Sequence, residues 1–354
     1  MNQLQSPDLA LAERHPKRGD AFVHVEDLTV RFVSREATVK AVNGVSFDLA
    51  RGEVLCVIGE SGSGKSVMMR SLLRLHAKKR TVIEGTMMVG EHNITKVSDR
   101  TMSELRGSTI SMIFQEPMTA LDPLYTIGDQ IVETVRRHEN LSRESAWKRA
   151  LELLELVRVP SPERRLKAFP HELSGGLRQR AMIAVALSCR PSLLLADEPT
   201  TALDASVQIQ VLVLLRKLQR DMGMSMIFVT HDLGVAAQIA DKVAVMYAGR
   251  IVEYGEARDV LVNPQHPYTK AMLASTIKDQ RRGAPLEAIA GTPPDLRALP
   301  EGCSFAPRCK FAEPSFNKAM PPPVTDARGH MARCYKAHAI GGLLAFDPTI
   351  VEPA

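Results

Sequence analysis

The spacing of apolar positions changes several times along the chain. AFVHVEDLTVRF and AVNGVSFDLA alternate apolar and polar residues with turn residues between them, which predicts two strands of an antiparallel patch. EVLCVIG is a continuous apolar run that stops at glycine, and SVMMRSLLRL continues with helical spacing. Strand, glycine loop and helix therefore follow in that order. Over about residues 95–180 charge and helix formers increase. In RESAWKRALELLELVRV, Trp147, Ala150, Leu151, Leu154 and Val157 keep helical spacing, so a helical insert is expected. AMIAVALSC is apolar all round and predicts a buried helix, whereas SLLLAD and MSMIFVTH predict parallel strands buried on both faces. Such αβ alternation makes the fold class α/β, wound around a parallel sheet. Past Gly255, NPQHPYTK, GTPPDLRALPEG and MPPPV are proline-rich and loop-like, which marks 256–354 as a separate C-terminal extension. Residues 1–20 are polar and are expected to be a flexible leader.

Composition narrows the class without naming a partner. The 354 residues are 45% hydrophobic and 24% charged, enough for one large or two modest globular domains and unlike a disordered or fibrous chain. The net charge of +5 comes from scattered basic residues, a pattern of solvated surface rather than a nucleic-acid stripe. No uncharged apolar run approaches the ~18 residues of a spanning helix, and the N-terminus has no apolar core of a signal peptide. A soluble, cytoplasmic chain is expected. Five cysteines over this length suit reduced thiols better than a disulfide framework, and Cys56 and Cys189 sit in apolar runs as small core residues.

The chemistry begins at GESGSGKS, residues 59–66. Gly59, Gly64, Lys65 and Ser66 match the phosphate-loop pattern, and the flanking strand and helix supply the context it requires. Glycines, with Ser61, Gly62 and Ser63 between them, let backbone N–H groups face phosphates without an intervening Cβ. Lys65 would supply charge at the β- and γ-phosphates of ATP, and the Ser66 hydroxyl would ligate Mg²⁺. SLLLADEPT ends a buried strand in two acids. Because neighbouring strand side chains point to opposite faces, Asp197 is expected to hold Mg²⁺ and Glu198 to face the water attacking the γ-phosphate; as a pair they could also merely cap the next helix. His231 follows the next strand at the same C-terminal edge, as a γ-phosphate contact or a structural ring. Gln115 ends another apolar run, where its amide could touch Mg²⁺ or the attacking water or satisfy a turn. HELSGGLRQR adds a second anion-favouring helix start at Ser174, Gly175 and Gly176, one more than a single nucleotide needs.

This set, GESGSGKS, Gln115, LSGG, LLLADEP, TALD and His231 in that order, resembles the ATP-binding subunit of an ABC transporter over about residues 22–340. The resemblance implies a P-loop NTPase core with a RecA-like sheet, an antiparallel β subdomain and a helical subdomain within residues 21–255. It implies Walker A at 59–66, Gln115 as Q-loop, and Ser174, Gly175 and Gly176 as signature. Asp197 is then Walker B, Glu198 the catalytic base, residues 202–204 including Asp204 the D-loop, and His231 the switch histidine; Phe32 is a candidate for stacking on adenine. The second anion site is then explained: it closes over the nucleotide of an opposite chain. FQEPMTALDP, LSGGLRQRAMIA, NPQHPYTKAML and GTPPDL with CSFAPRC resemble the ATPases of dipeptide and oligopeptide permeases, whose relatives also import nickel. That subfamily implies an importer at the cytoplasmic face of the inner membrane. Its expected partners are a second ATPase subunit, identical or different, two integral membrane permeases and an extracytoplasmic solute-binding protein, with no nucleic acid. The alternative, a soluble ABC ATPase acting on nucleic acid or ribosomes, generally needs a long coiled-coil insert or two nucleotide domains; this chain shows one phosphate loop and no sustained heptads. Two departures stand out. Leu177 replaces the glutamine common in the signature, and where relatives often carry four cysteines, some binding an iron–sulfur cluster, Cys303, Cys309 and Cys334 remain while Phe316 takes the other place. Clusters usually need four thiolates, so loop cysteines are favoured over a cluster with a foreign fourth ligand.

Overall fold

The two alternating segments form β1 (Ala21–Val33) and β2 (Thr38–Ala50), antiparallel from Ala21 opposite Ala50 to Val33 opposite Thr38. Their coordinates come from a computed structural model that describes residues 21–201, 203–275 and 288–337. The expected leader at 1–20 lies outside the described residues. After a turn at Arg51 and Gly52 the chain enters β3 (Val54–Ile58), all five residues of which are buried. β4 (Thr81–Val89) and β5 (His92–Asn93) complete a four-stranded antiparallel sheet in the order β2-β1-β4-β5.

A second sheet is built on β3. It comprises β6 (Ile110–Ile113), β7 (Leu193–Asp197), β8 (Ser225–Val229), β9 (Lys242–Tyr247), β10 (Arg250–Glu256), β11 (Val324–Thr325) and β12 (Met331–Ala332), in the order β11-β12-β10-β9-β3-β8-β7-β6. The stretch from β9 to β6 is parallel, and the β10, β12 and β11 edge is antiparallel. Period-two alternation divides each central strand between two cores. Val54, Cys56 and Ile58 of β3, with Met226 and Phe228 of β8, face one core under the helices Gly175–Leu187 and Ala205–Met222. Leu55, Val57, Ile227 and Val229 face the other, shared with the four-stranded sheet and with Met68, Met69 and Leu72 of the helix Lys65–Leu72. Both faces are dry, which is why these strands read as unbroken apolar runs.

The helical insert differs from its expected bounds. Helix Asp99–Ser108 breaks at Arg106 and Gly107, and the chain then adds β6 to the large sheet before helices Ile127–His138 and Arg143–Leu156 begin. A four-residue apolar strand is too short to show its period. In Arg143–Leu156 the buried stripe is Ala146, Ala150, Leu153 and Leu154, with Trp147 and Leu151 only partly covered, so the face is rotated from the one expected.

The extension is not separate from the ATPase sheet. β12 pairs with β10, Glu253 lying opposite Ala332. Fully buried Glu253 accepts the N–H groups of Gln265 and His266 at 2.6 and 3.0 Å and lies 2.7 Å from His330 Nε2. Tyr247, Tyr268, Phe305 and His266 form an aromatic cluster beside this seam, with ring centroids 4.6–5.9 Å apart. Among the described residues no helix is long and apolar enough to cross a membrane.

Burial pushes the His266 imidazole down to about 3, far below its ordinary value. Between pH 6.5 and 3 the unfolded chain takes up a proton that the folded chain refuses, so stability falls as pH falls, by at most ~1.4 kcal/mol per unit from this group. His266→Asn keeps an acceptor for the Tyr268 N–H, which His266 Nδ1 accepts at 3.1 Å, without titrating. Denaturant unfolding at pH 7 and pH 5 should show the wild type losing about 2 kcal/mol more than this variant; equal losses would contradict the assignment.

Candidate active site

The phosphate loop runs between β3 and the helix Lys65–Leu72, and its shape follows from crowding. A Cβ on Gly59, at φ 149°, would lie 2.2 Å from Met246 O of β9. One on Gly64, the helix N-cap at φ 102°, would lie 2.3 Å from Ala41 O of β2. No side chain fits at either position. Ser61 and Gly62 are exposed and Ser63 is buried, with its Oγ lacking a hydrogen-bond partner and its carbonyl accepting from Gly249 N at 2.9 Å. The Lys65 ammonium, 5% exposed, donates to Gly59 O at 2.7 Å and Glu60 O at 2.9 Å. Burial holds it below its ordinary pKa, opposed by the carboxylates of Glu198, Asp197 and Glu60.

The two acids separate for a different reason from strand alternation. β7 ends at Asp197, and Glu198 sits on a left-handed turn at φ 46°, its N–H donating to Val229 O at 3.0 Å. A non-glycine residue there costs on the order of 1–3 kcal/mol, a strain that clusters at functional sites. Asp197 is fully buried; burial raises its pKa, opposed by the Ser66 hydroxyl that donates to Oδ1 at 2.7 Å and by Arg70, 3.4 Å from Oδ2. Glu198 Oε2 collects three partners: Gln115 Nε2 at 3.2 Å, Thr201 Oγ1 at 2.9 Å and His231 Nδ1 at 3.3 Å.

These groups share one cleft of about 720 Å³. Phe32, Ser61, Gly62, Gly64, Lys65, Ser66, Gln115, Glu198 and His231 were all expected at the site and all line it. Gly59, Ser63 and Asp197 are not in its lining but are joined to it, Asp197 through Ser66. Val39, Ala41, Val67 and Leu296 also line it and were not singled out from sequence, and Thr201 and Arg70 reach its acids. Val67 follows the phosphate loop directly and could have been inferred; Leu296 ends the GTPPDL stretch, which pointed to a subfamily and not to this cleft, and its carbonyl accepts Lys40 N at 3.1 Å.

Ser174, Gly175, Gly176 and Asp204 do not line this cleft. Exposed Ser174 caps the helix Gly175–Leu187 without using its hydroxyl, and Gly175 has open space where a Cβ would be. A Cβ on Gly176 would meet Val207 at 3.1 Å, so the turn rests on the helix that Asp204 caps through the N–H groups of Ser206 and Val207. Leu177 packs against the core. Ala202 of the expected D-loop lies outside the described residues.

Cys303, Cys309 and Cys334 line one small apolar pocket with His266, Phe305 and Phe316. Its cavity of about 10 Å³ barely admits a water molecule. Burial raises all three thiols, Cys334 to about 11, and the apolar ring of Phe316, which can ligate nothing, stands among them. As arranged, these residues do not fit an iron–sulfur cluster. Among the described residues no group of three or more His, Cys, Asp or Glu side chains has metal-holding geometry.

A phosphate loop at the C-terminal edge of a parallel sheet, with a buried Asp at the end of β7, one strand beyond β8, and a strained Glu just after it, defines a P-loop nucleoside triphosphatase. The ABC transporter profile matches residues 42–201, and that of the oligopeptide/dipeptide transporter C-terminal region matches 252–315. The chain is 46% identical to the dipeptide transport ATP-binding protein DppD of Bacillus subtilis over 317 residues, 89% of this chain and 95% of that protein. It is 44% identical to the oligopeptide transport ATP-binding protein OppD of Salmonella typhimurium over 92% of this chain and 96% of that one. Among solved structures, a dimeric ATP-binding cassette in a post-hydrolysis state with ADP and Pi aligns at TM-score 0.60 and 29% identity, over 67% of this chain and 99% of that one. The chain belongs to the ATP-binding subunits of ABC transporters, in the dipeptide and oligopeptide branch, and is an ATPase.

Gly64→Ala should destabilise the fold by about 2 kcal/mol or more, since the new Cβ meets a backbone carbonyl at a strained φ. Titration with ATP should show at least about tenfold weaker binding as the loop is displaced; unchanged affinity would mean that the loop does not hold the phosphates.

Proposed function

We propose that the chain is the ATP-hydrolysing motor of a peptide importer and that each ATP is bound by one chain and closed over by another. The observation that carries the catalytic reading is Glu198 Oε2, held by Gln115, Thr201 and His231 beside the Lys65 ammonium. In this reading the loop at 59–66 wraps the phosphates, Phe32 stacks on adenine, and Lys65 faces the β- and γ-phosphates. Glu198 takes the proton of the attacking water, Gln115 orients that water, and His231 contacts the γ-phosphate. Ser66, Asp197 and Gln115 offer hydroxyl, carboxylate and amide oxygen, a donor set that fits Mg²⁺. When bound, the ion would neutralise charge developing between the β- and γ-phosphates.

Ser174, Gly175, Gly176 and Asp204 serve the partner chain's nucleotide, a role supported by their place outside the chain's own cleft, by the exposure of Ser174, Gly175 and Asp204, and by the dimeric cassette among the similar structures. That partner is a second ATPase subunit, identical or different. Closure and reopening of the pair drive two integral membrane permeases supplied by a solute-binding protein, with this chain peripheral at the cytoplasmic face. Peptides as the solute rest on the names of the relatives. Residues 21–255 are the ATPase, its helical part beginning after β6, and 256–354 the extension, in keeping with the two matched profiles.

Glu198→Gln, assembled with its partners, should keep ATP binding while steady-state hydrolysis falls by about 10²–10⁴-fold; near-normal turnover would sink the assignment. Ser174→Arg should leave ATP binding by the isolated subunit intact and abolish hydrolysis by the assembly. If the isolated variant fails to bind ATP, the turn acts in its own chain.

A further inference from the structure

A strap of the extension, residues 289–308, touches the site at two points, the phosphate loop behind the cleft and the lining of the cleft itself. Arg308, its side chain 5% exposed, grips Glu60 with a fork: Nη1 donates to Oε2 at 2.8 Å and Nη2 to Oε1 at 3.0 Å. Its remaining donors fix the strap, Nε to Ala290 O at 2.9 Å and Nη2 to Ile289 O at 3.3 Å, while Nη1 lies 3.3 Å from the Tyr247 hydroxyl. Glu60 stands between Gly59 and Ser61 of the phosphate loop. Its N–H donates to Tyr268 Oη at 2.8 Å, and its carbonyl accepts from Lys65 Nζ. Two groups from the extension thus hold the residue that holds the phosphate-loop lysine. A largely desolvated, bidentate Arg–carboxylate pair is the kind of ion pair that fixes geometry.

The second point is Leu296. Its carbonyl accepts Lys40 N, and its side chain lines the cleft beside Phe32, Val39 and Ala41. Phe32 and Val39 are cross-strand partners in β1 and β2, so Leu296 completes an apolar corner on which a flat ring can rest.

We propose that the strap is a wall of the nucleotide site of its own chain: Leu296 contacts the nucleobase, and Arg308, acting through Glu60, is a positioning residue for the phosphate loop. The extension then belongs to the ATPase site itself, and its loss or movement alters nucleotide affinity. This rests on the reading of the cleft as the ATP site with the base against Phe32.

The test compares two ligands of the full-length chain, ATP and inorganic tripolyphosphate, which lacks a base. Leu296→Asp should weaken ATP about tenfold or more and leave tripolyphosphate unchanged. Arg308→Met should weaken both by the same factor, and Arg308→Lys, which keeps charge without the fork, should recover part of the loss. In a Glu60→Gln background, Arg308→Met should add little, because the coupling is already broken. If Leu296→Asp leaves ATP affinity unchanged while Phe32→Ala weakens it, the base contact is overturned and the site reading stands. Unchanged affinity for both ligands in Arg308→Met, with the fold intact by circular dichroism, overturns the positioning role. If Lys65→Ala binds both ligands as tightly as wild type, the site reading itself fails.

Discussion

The structure turns on a squeeze: the phosphate loop passes so close to Met246 O on one side and Ala41 O on the other that only backbone fits. Those carbonyls belong to different sheets, β9 to the large one and β2 to the small one. Both sheets must be in place before the loop has its shape. Ser66 adds a third tie through the Asp197 carboxylate at the end of β7, and Glu60 a fourth through Arg308 and Tyr268 of the extension. A loop that must present its N–H groups to phosphates cannot be stabilised by its own side chains, so neighbouring elements hold it from outside.

The same dependence divides labour between the adjacent acids. Asp197, sealed against Ser66 and Arg70, is fully buried and is suited to an ionic partner. Glu198, one residue on, is turned by a left-handed backbone into the cleft, where one of its oxygens meets an amide, a hydroxyl and an imidazole. A one-residue change of backbone conformation, and no difference in acid chemistry, separates a sealed carboxylate from one that opens onto the cleft. The helix start at Ser174 and Gly175 is exposed and stands outside this cleft.

Much of this was legible along the chain. β3, β7 and β8 announced themselves because both faces of the parallel sheet are dry, and nine of the residues expected at the site, from Phe32 to His231, line one cleft. β6 was not legible as a strand, since an apolar run of four residues carries no period of its own. Nor was the stripe of the helix Arg143–Leu156, whose rotation is set by what packs against it. The loop-like texture past Gly255 suggested a detached segment because pairing such as Glu253 with Ala332 leaves no mark in local spacing.

By itself the sequence determined the strand, glycine loop and helix, the chemistry each motif can perform, and the family to which the order of motifs belongs. These depend on residues close in sequence, where periodicity, steric freedom at glycine and functional-group chemistry act locally. Only the tertiary structure decided that Leu296 stands at the same cleft as Lys65, that Arg308 grips Glu60 of the phosphate loop, that Glu253 seals the seam of the extension, and that three cysteines close on a pocket too small for a cluster. Those outcomes join residues far apart in the chain, and contacts of that kind are set by the packing of whole sheets rather than by any pattern a local window contains.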